Sequence, residues 1–479
     1  MKNIKETSVK GLKWTGLSEI LSRSVQPLVT IILARILSPE DFGLIAVANI
    51  VISLCLIFQD FGFKKAIVQT ENNYLIYANN AFWLNLMFSL FLYITIYIFA
   101  PLIATLFKSA SSVSIIRVLS FKIVIISLSS VQLALIQRSI KFKLIFIIQF
   151  SNSSIIGLAS ILLAIYGFGV WSIVIGTLSG SIVQFFLCWI VFNWKPKLDF
   201  DIGAAKEMLH FSKWVAAEGI AAWLITWGDS IILGSFLGLN DLGIYRIGTF
   251  FVMFLSNIFF TPLVSVAYSF FSRLQSDIRE FNNYFLKLSK IVTAIVLPVA
   301  IIVALLSEPI VNILLGDKWR GAEIVIATMS IRWALGCIVG LNSIGFTAIG
   351  RPDINFKLLA IVSSFTIPTY IIAAPYGLVV FCFVRLLVEQ LDNIINYIFS
   401  VKVLQLPSVY ILTNIKTTLP SITIMIFVTF FIINNLAITN LLMLILSGCI
   451  GFSTYILSLW VFQKKFLKWS IKYALHMLR

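Results

Sequence analysis

The groups in this chain that could do chemistry are ionisable side chains set inside long apolar runs. Glu19 and Arg23 stand four apart near the start, with Gln26 and the helix-breaking Pro27 just beyond. Lys122 and Arg332 each lie alone within an apolar run, and Glu218 and Asp229 share a third. Arg385, Glu389 and Asp392 follow at spacings of four and three, on one face of a helix. A charge in hydrocarbon is costly, so each such group faces a cavity or a partner. Arginine offers a planar fork that matches a phosphate in two places, and lysine a point charge. Arg23, Arg332, Arg385 and Lys122 are therefore the cationic candidates to face a cavity or a partner. A buried carboxylate loses its burial penalty when it binds a proton or Na⁺. Asp229, Glu218 and Glu19 are thus the candidates for a coupling ion. Eleven residues turn a helix by about 1100°, so Glu218 and Asp229 fall on one stripe about 16.5 Å apart. Trp223 and Trp227 stand four apart in the same run. Structural readings stay open elsewhere: Lys122 could snorkel, and Arg385 with Glu389 could simply hold helices together.

Enzymatic chemistry has no comparable seat. The sequence lacks a nucleophile elbow, a Walker loop and an HExxH pair, and its two histidines, His210 and His476, fall near helix ends. Tyr166-Gly-Phe-Gly-Val-Trp171 is Gly-rich, but joins two apolar runs and is expected to be a tight turn. The five cysteines sit singly inside apolar runs, so neither a disulfide framework, a metal site nor a cofactor is expected.

These groups need helices long enough to carry them through a bilayer. Of 479 residues, 59% are hydrophobic and 12% charged, against roughly 45–50% and about 25% for a soluble protein. The apolar residues come in runs of about 20 rather than in stripes, which excludes a soluble enzyme on a single anchor. Fourteen spans are expected, near 12–34, 42–62, 79–107, 113–137, 144–166, 168–193, 211–236, 243–270, 287–307, 321–349, 355–374, 376–400, 415–434 and 439–462. With the N-terminus inside, and cations near span ends counted with the connection they adjoin, 26 of 36 fall on the inner side and 6 on the outer, with 4 deep inside spans. That split places both termini in the cytoplasm, and the net charge of +16 reflects this bias rather than nucleic-acid binding. The start, basic as it is, reads as a retained first helix, since no small-residue cleavage site follows.

A repeat at an offset of 200 pairs Lys13-Trp14 with Lys213-Trp214, Ile31 to Leu33 with Ile231 to Leu233, and Asp41 and Gly43 with Asp241 and Gly243. Nine of 31 positions agree. Six spans per copy is an even number, so the copies enter the membrane from the same side as parallel halves. The expected organisation is an N-lobe over 1–200, a C-lobe over 201–400, two further spans over 401–463, and a basic amphipathic tail over 464–479 at the anionic inner leaflet.

The connecting segments carry a resemblance. ARILSPEDFGL (34–44), FQDFGFKKAIVQ (58–69), IQRSIKFK (136–143), YGFGVWSIV (166–174), TWGDSIILGSFLGLNDLGIYRIG (226–248) and LLGDKWRGAE (314–323) closely resemble the polysaccharide transporter family. The resemblance covers nearly the whole chain in order. It implies a Wzx-type flippase of the multidrug/oligosaccharidyl-lipid/polysaccharide exporter superfamily, close to the colanic acid and exopolysaccharide branch. The fold implied is all-α and MATE-like: two six-helix lobes around a central, often cationic cavity, with two extra C-terminal helices. The substrate implied is an undecaprenyl-pyrophosphate-linked oligosaccharide, moved by cation-coupled alternating access from the inner to the outer leaflet of the bacterial cytoplasmic membrane for O-antigen, capsule or exopolysaccharide synthesis. A polysaccharide polymerase and chain-length proteins are the implied protein partners, alongside membrane lipids. On that resemblance Arg23, Arg332, Arg385 and Lys122 would meet the pyrophosphate, and Trp223 and Trp227 could stack on sugar faces or equally anchor the lobe interface; family sequences carry an aspartate where Asp229 stands. The first two spans hold fewer cations than those of lipid II flippases, which the chain resembles less. The rival readings are a cation-coupled multidrug exporter and a membrane glycosyltransferase or ligase; the short outer connections disfavour the enzyme.

Overall fold

A computed structural model describes residues 25–60, 63–64, 67, 74–197, 200–435 and 438–468. The described residues are helical throughout their spans and contain no strand, as expected where a backbone without water must satisfy its own polar groups. Twelve helices are long and apolar enough to cross a membrane. Large apolar side chains lie bare on their outer faces, as with Phe91 at 66% exposure, Leu102 at 66% and Phe427 at 72%. So much uncovered apolar surface fits a lipid solvent, and the chain is a multi-pass membrane protein.

Fourteen spans are not reached by that count. Val25–Ile36 is the described part of the expected first span. Leu378–Val403 has 26 residues, ample length at 1.5 Å each, but carries Arg385, Glu389, Asp392 and Lys402. The expected span over 243–270 is two helices, Leu239–Phe259 and Thr261–Arg273. Pro262, at the start of the second, has no N–H to continue the first.

Contacts divide the chain into two compact units, Met1–Gly243 and Ile244–Arg479. This differs from the division expected after residue 200, and the first unit shows why. Asn79 Oδ1 accepts from Lys197 N at 3.1 Å, while Asn80 accepts from Asp201 N at 3.0 Å and donates to Asp201 O at 2.9 Å. The connection ahead of Ile202–Leu237 is thus tied to Tyr74–Leu106. That helix then packs on Pro39–Asp60, where Trp223 Nε1 donates to Ile50 O and Ser53 Oγ, both at 3.0 Å.

Within the first unit, Ser38 and Asp41 form a reciprocal cap. Ser38 N and Oγ donate to Asp41 Oδ2 at 2.9 and 2.8 Å, and Asp41 N donates to Ser38 Oγ at 3.2 Å, satisfying orphan donors at the start of Pro39–Asp60. Just inside it, Gly43 lies against the carbonyl of Leu239, where a Cβ would approach O to 2.1 Å. Reciprocally, a Cβ on Gly243 would lie 1.8 Å from Pro39 O. The four residues are two pairs at the repeat offset of 200, so two related helix starts pack through backbone that only glycine permits. Tyr74–Leu106 and Ser112–Arg138 are joined by Asn85 to Ser130 and Ser89 to Ser127 hydrogen bonds, each 3.0 Å. Such bonds substitute for the hydrophobic drive that lipid does not supply. Gly167 and Gly169, at φ +82° and +53°, make the expected tight turn.

In the second unit, Ile278–Leu305 packs on Ala322–Ala348 and on Tyr410–Asn435, and Ala322–Ala348 also packs on Leu378–Val403. Asp277 caps Ile278–Leu305, accepting from Arg279 N and Glu280 N at 3.0 and 3.1 Å. Glu323 accepts from Gly321 N at 2.8 and 2.9 Å beside the fully buried Trp319. The GDKWRGAE segment is therefore a helix-starting structure. Tyr410 OH donates to Asn342 Oδ1 at 3.0 Å and Asn414 Nδ2 to Ser289 Oγ at 2.9 Å, tying Tyr410–Asn435 into the unit.

Candidate functional site

Three helices of the second unit bring charge together. Ala322–Ala348 contributes Arg332, Pro352–Ala373 contributes Tyr370, and Leu378–Val403 contributes Arg385, Glu389 and Asp392. Glu389 is the hub. Its Oε2 accepts from Arg332 Nη1 in a short contact, and its Oε1 accepts from Arg385 Nε at 2.8 Å and Tyr370 OH at 3.0 Å. The Arg385 guanidinium also lies 5.7 Å from the ring centre of Tyr245 and 6.0 Å from that of Tyr370. Arg385 is buried at 8% exposure and Tyr370 at 7%. Both arginines share the one carboxylate of Glu389, so each of these partly desolvated charges has an opposite partner, without which its burial would be costly.

A cavity of about 290 Å³ opens beside this cluster. Arg332, Glu389 and Asp392 line it, together with Asn393, Asn396 and Ser343. Gly336 lines it too, and a Cβ there would meet nothing within 4 Å. Arg385 is not among the lining residues. It lies behind Glu389, to which its Nε donates. The Arg385–Glu389 pair expected from spacing is present, and Arg332, which stands alone in its own run, joins it on the same acid. Arg332 and Glu389 are 57 positions apart, and spacing on one helix could not pair them. Tyr370 and Tyr245 were missed, since a tyrosine in an apolar run carries no signal of its own.

The other sequence candidates lie elsewhere. Arg23 and Glu19 fall outside the described residues. Lys122 is half-buried in Ser112–Arg138 of the first unit. Glu218 is exposed, whereas Asp229 is buried at 7% exposure, so the stripe they share does not give them one environment. Asp229 Oδ1 accepts from Ser230 N and from Ser230 Oγ at 3.0 Å. Trp223 is half-buried, and its indole N–H donates to the Pro39–Asp60 helix. Trp227 is half-buried nearby. Among the described residues no group of three His, Cys, Asp or Glu is placed to hold a metal ion.

These features define a class: an all-helical membrane protein with buried, paired charges beside a polar cavity, built like transporters of the MOP superfamily. The lipid II flippase MurJ in an inward closed conformation superposes with a TM-score of 0.77 at 19% identity, covering 95% of this chain and 99% of its own. An inward-facing multidrug resistance MATE family transporter of that superfamily gives 0.67 at 15% identity, over 80% and 94%. The family described as polysaccharide biosynthesis protein matches residues 32–324, and the chain belongs to that family. Among curated relatives, the succinoglycan biosynthesis transport protein ExoT of Rhizobium meliloti (strain 1021) is 25% identical over 68% of this chain and 66% of its own length. The lipopolysaccharide biosynthesis protein WzxC of Escherichia coli (strain K12) is 24% identical over 84% and 82%. The teichuronic acid biosynthesis protein TuaB of Bacillus subtilis (strain 168) is 23% identical over 74% of each.

Proposed function

We propose that this protein is a flippase that carries an undecaprenyl-pyrophosphate-linked oligosaccharide from the inner to the outer leaflet of the bacterial cytoplasmic membrane, and that it does so as a transporter without a catalytic step. Family membership and relatives named for succinoglycan transport and lipopolysaccharide biosynthesis support the substrate class. The observation that carries the mechanism is the Arg332–Glu389–Arg385 cluster at the edge of a polar cavity. A pyrophosphate presents charged oxygens that fit a guanidinium fork. Arg332 leaves Glu389 for the phosphate, and Arg385 and Tyr370 continue to satisfy Glu389. Without that second arginine, the exchange would leave a half-buried carboxylate with no cation beside it. With it, binding and release are near balance, which a carrier needs in order to load on one side and unload on the other.

Orientation and coupling are parts of the same proposal. Both termini face the cytoplasm, supported by the split of 26 inner against 6 outer cations. Asp229, buried in the first unit, is the carboxylate whose protonation or Na⁺ binding biases the cycle; Asp229→Asn then flips substrate without responding to an imposed gradient, and an unchanged response would remove it from that role. The polymerase and chain-length proteins of the same synthesis are its proposed partners.

The test is complementation of polysaccharide export in cells that lack this protein, with all variants matched for expression. Arg332→Ala abolishes export, and Arg332→Lys, which keeps the charge but loses the fork, retains part of it. Wild-type export by Arg332→Ala would overturn the reading, and efflux of cationic dyes by the wild type would favour a multidrug exporter.

A further inference from the structure

A second cationic cavity, of about 610 Å³, lies in the second unit, distinct from the Arg332 site. Three pieces of chain form it: the first half of Ile278–Leu305, the start of Tyr410–Asn435 with the residues just before it, and the segment that follows Leu441–Phe462. Lys287 and Lys290 enter it from one helix, a turn apart, and Lys465 from the segment after Gln463. No Asp or Glu is among its described lining residues, so about three positive charges converge without a counter-ion. In this it differs from the Arg332 cavity, which holds its own acids.

The arrangement is built. Phe466 is buried at 8% exposure in the core shared by these helices, alongside Ile302, Met425 and Tyr455. It fixes the basic segment against the bundle, and Lys290 Nζ lies 4.7 Å from its ring centre. Asn414 and Thr413 add polar groups on the facing helix. Leu286, Val409 and Phe466 supply an apolar flank, continuous in chain with Leu412, whose side chain is 67% exposed on the outer face of Tyr410–Asn435.

We propose that this cavity binds the phosphodiester headgroup of an anionic glycerophospholipid of the leaflet at this face. The lysines meet the phosphate, and the apolar flank takes the glycerol and the first acyl carbons. A free phosphate would leave the apolar wall uncovered. A pyrophosphate would find point charges here rather than the planar forks that suit it. The basic segment, seen in the sequence as a tail for the anionic inner leaflet, is then one wall of a specific lipid site.

The test uses full-length protein in a neutral detergent, with native mass spectrometry counting retained phosphatidylglycerol and phosphatidylcholine of the same acyl chains. The wild type retains phosphatidylglycerol and not phosphatidylcholine. Each lysine near such a headgroup contributes roughly fivefold in affinity, so Lys465→Gln, an exposed position that leaves the fold intact, weakens retention by about that factor. The Lys287→Gln/Lys290→Gln/Lys465→Gln variant loses it, whereas Lys402→Gln, an exposed lysine at the same face outside the cavity, is unchanged. Equal retention by the Lys465→Gln or the triple variant, or equal retention of phosphatidylcholine, would overturn the proposal. So would displacement of the lipid by equimolar inorganic phosphate or undecaprenyl diphosphate, which would point to a phosphate ion or to the carried lipid as the occupant.

Discussion

At the scale of single residues, the account turns on Glu389 having more partners than it needs. Arg385 Nε and Tyr370 OH both reach Oε1, while Arg332 reaches Oε2. Removing the Tyr370 hydroxyl takes away one hydrogen bond to a charged acceptor, worth about 1.5–3 kcal/mol, and leaves two charged donors in place. Tyr370→Phe should therefore lower the thermal midpoint while export persists at reduced rate. Arg385→Ala should be far worse, since the only charged partner the carboxylate then keeps is the arginine that must leave it, with the neutral Tyr370 hydroxyl beside it; a null export phenotype with intact Arg332 is expected. Export by Arg385→Ala equal to that of Tyr370→Phe would mean that the second arginine does not hold the acid. Half of this site was legible in the sequence. The spacing of Arg385, Glu389 and Asp392 places them on one face, and that holds. Arg332 and Tyr370 come from other helices, and only tertiary packing decides which lone cation meets which acid.

At the scale of elements, the repeat has a physical consequence that its nine identities only hint at. Gly43 and Gly243 recur because each lies against the carbonyl of the residue that begins the related helix, Leu239 or Pro39. A backbone carbonyl within a capped helix start cannot swing aside as a side chain can. Gly243→Ala should cost about 1–3 kcal/mol through overpacking, read as a lower thermal midpoint in detergent. Gly228→Ala is the control: a Cβ there meets nothing within 4 Å, and alanine suits a helix better than glycine. Equal midpoints for the two variants would contradict the close contact. Helix existence was legible from apolar run length, but ends and grouping were not. The break at Phe260 follows from one proline inside a long run, which membrane helices often tolerate. The assignment of Ile202–Leu237 to the first unit rests on Asn79, Asn80 and Trp223, whose hydrogen bonds span more than a hundred residues. Leu378–Val403 carries charges that an apolar helix would not, and neighbouring helices satisfy some of them; composition does not record partners.

At the scale of the whole molecule, topology and transport are the claims. Single cysteines in a cysteine-free background should be labelled by an impermeant reagent at Ala110 or Asn240 from outside the cell, and at Ile140 only from inside. All three positions are exposed in turns or at helix starts, so access to reagent reports the side of the membrane. Labelling of Ile140 from outside would reverse the map and with it the direction of flipping.

The measurement that bears most directly on the central claim is translocation in proteoliposomes of purified protein, with a fluorescent undecaprenyl-pyrophosphate-linked oligosaccharide placed in one leaflet and its appearance in the other read by an impermeant quencher. Wild-type protein should accelerate transfer well above protein-free vesicles, the Arg332→Ala variant should fall to that background, and an undecaprenol-linked glycan without the pyrophosphate should not be moved. Transfer of the pyrophosphate-free glycan at the wild-type rate, or wild-type activity in Arg332→Ala, would contradict the account.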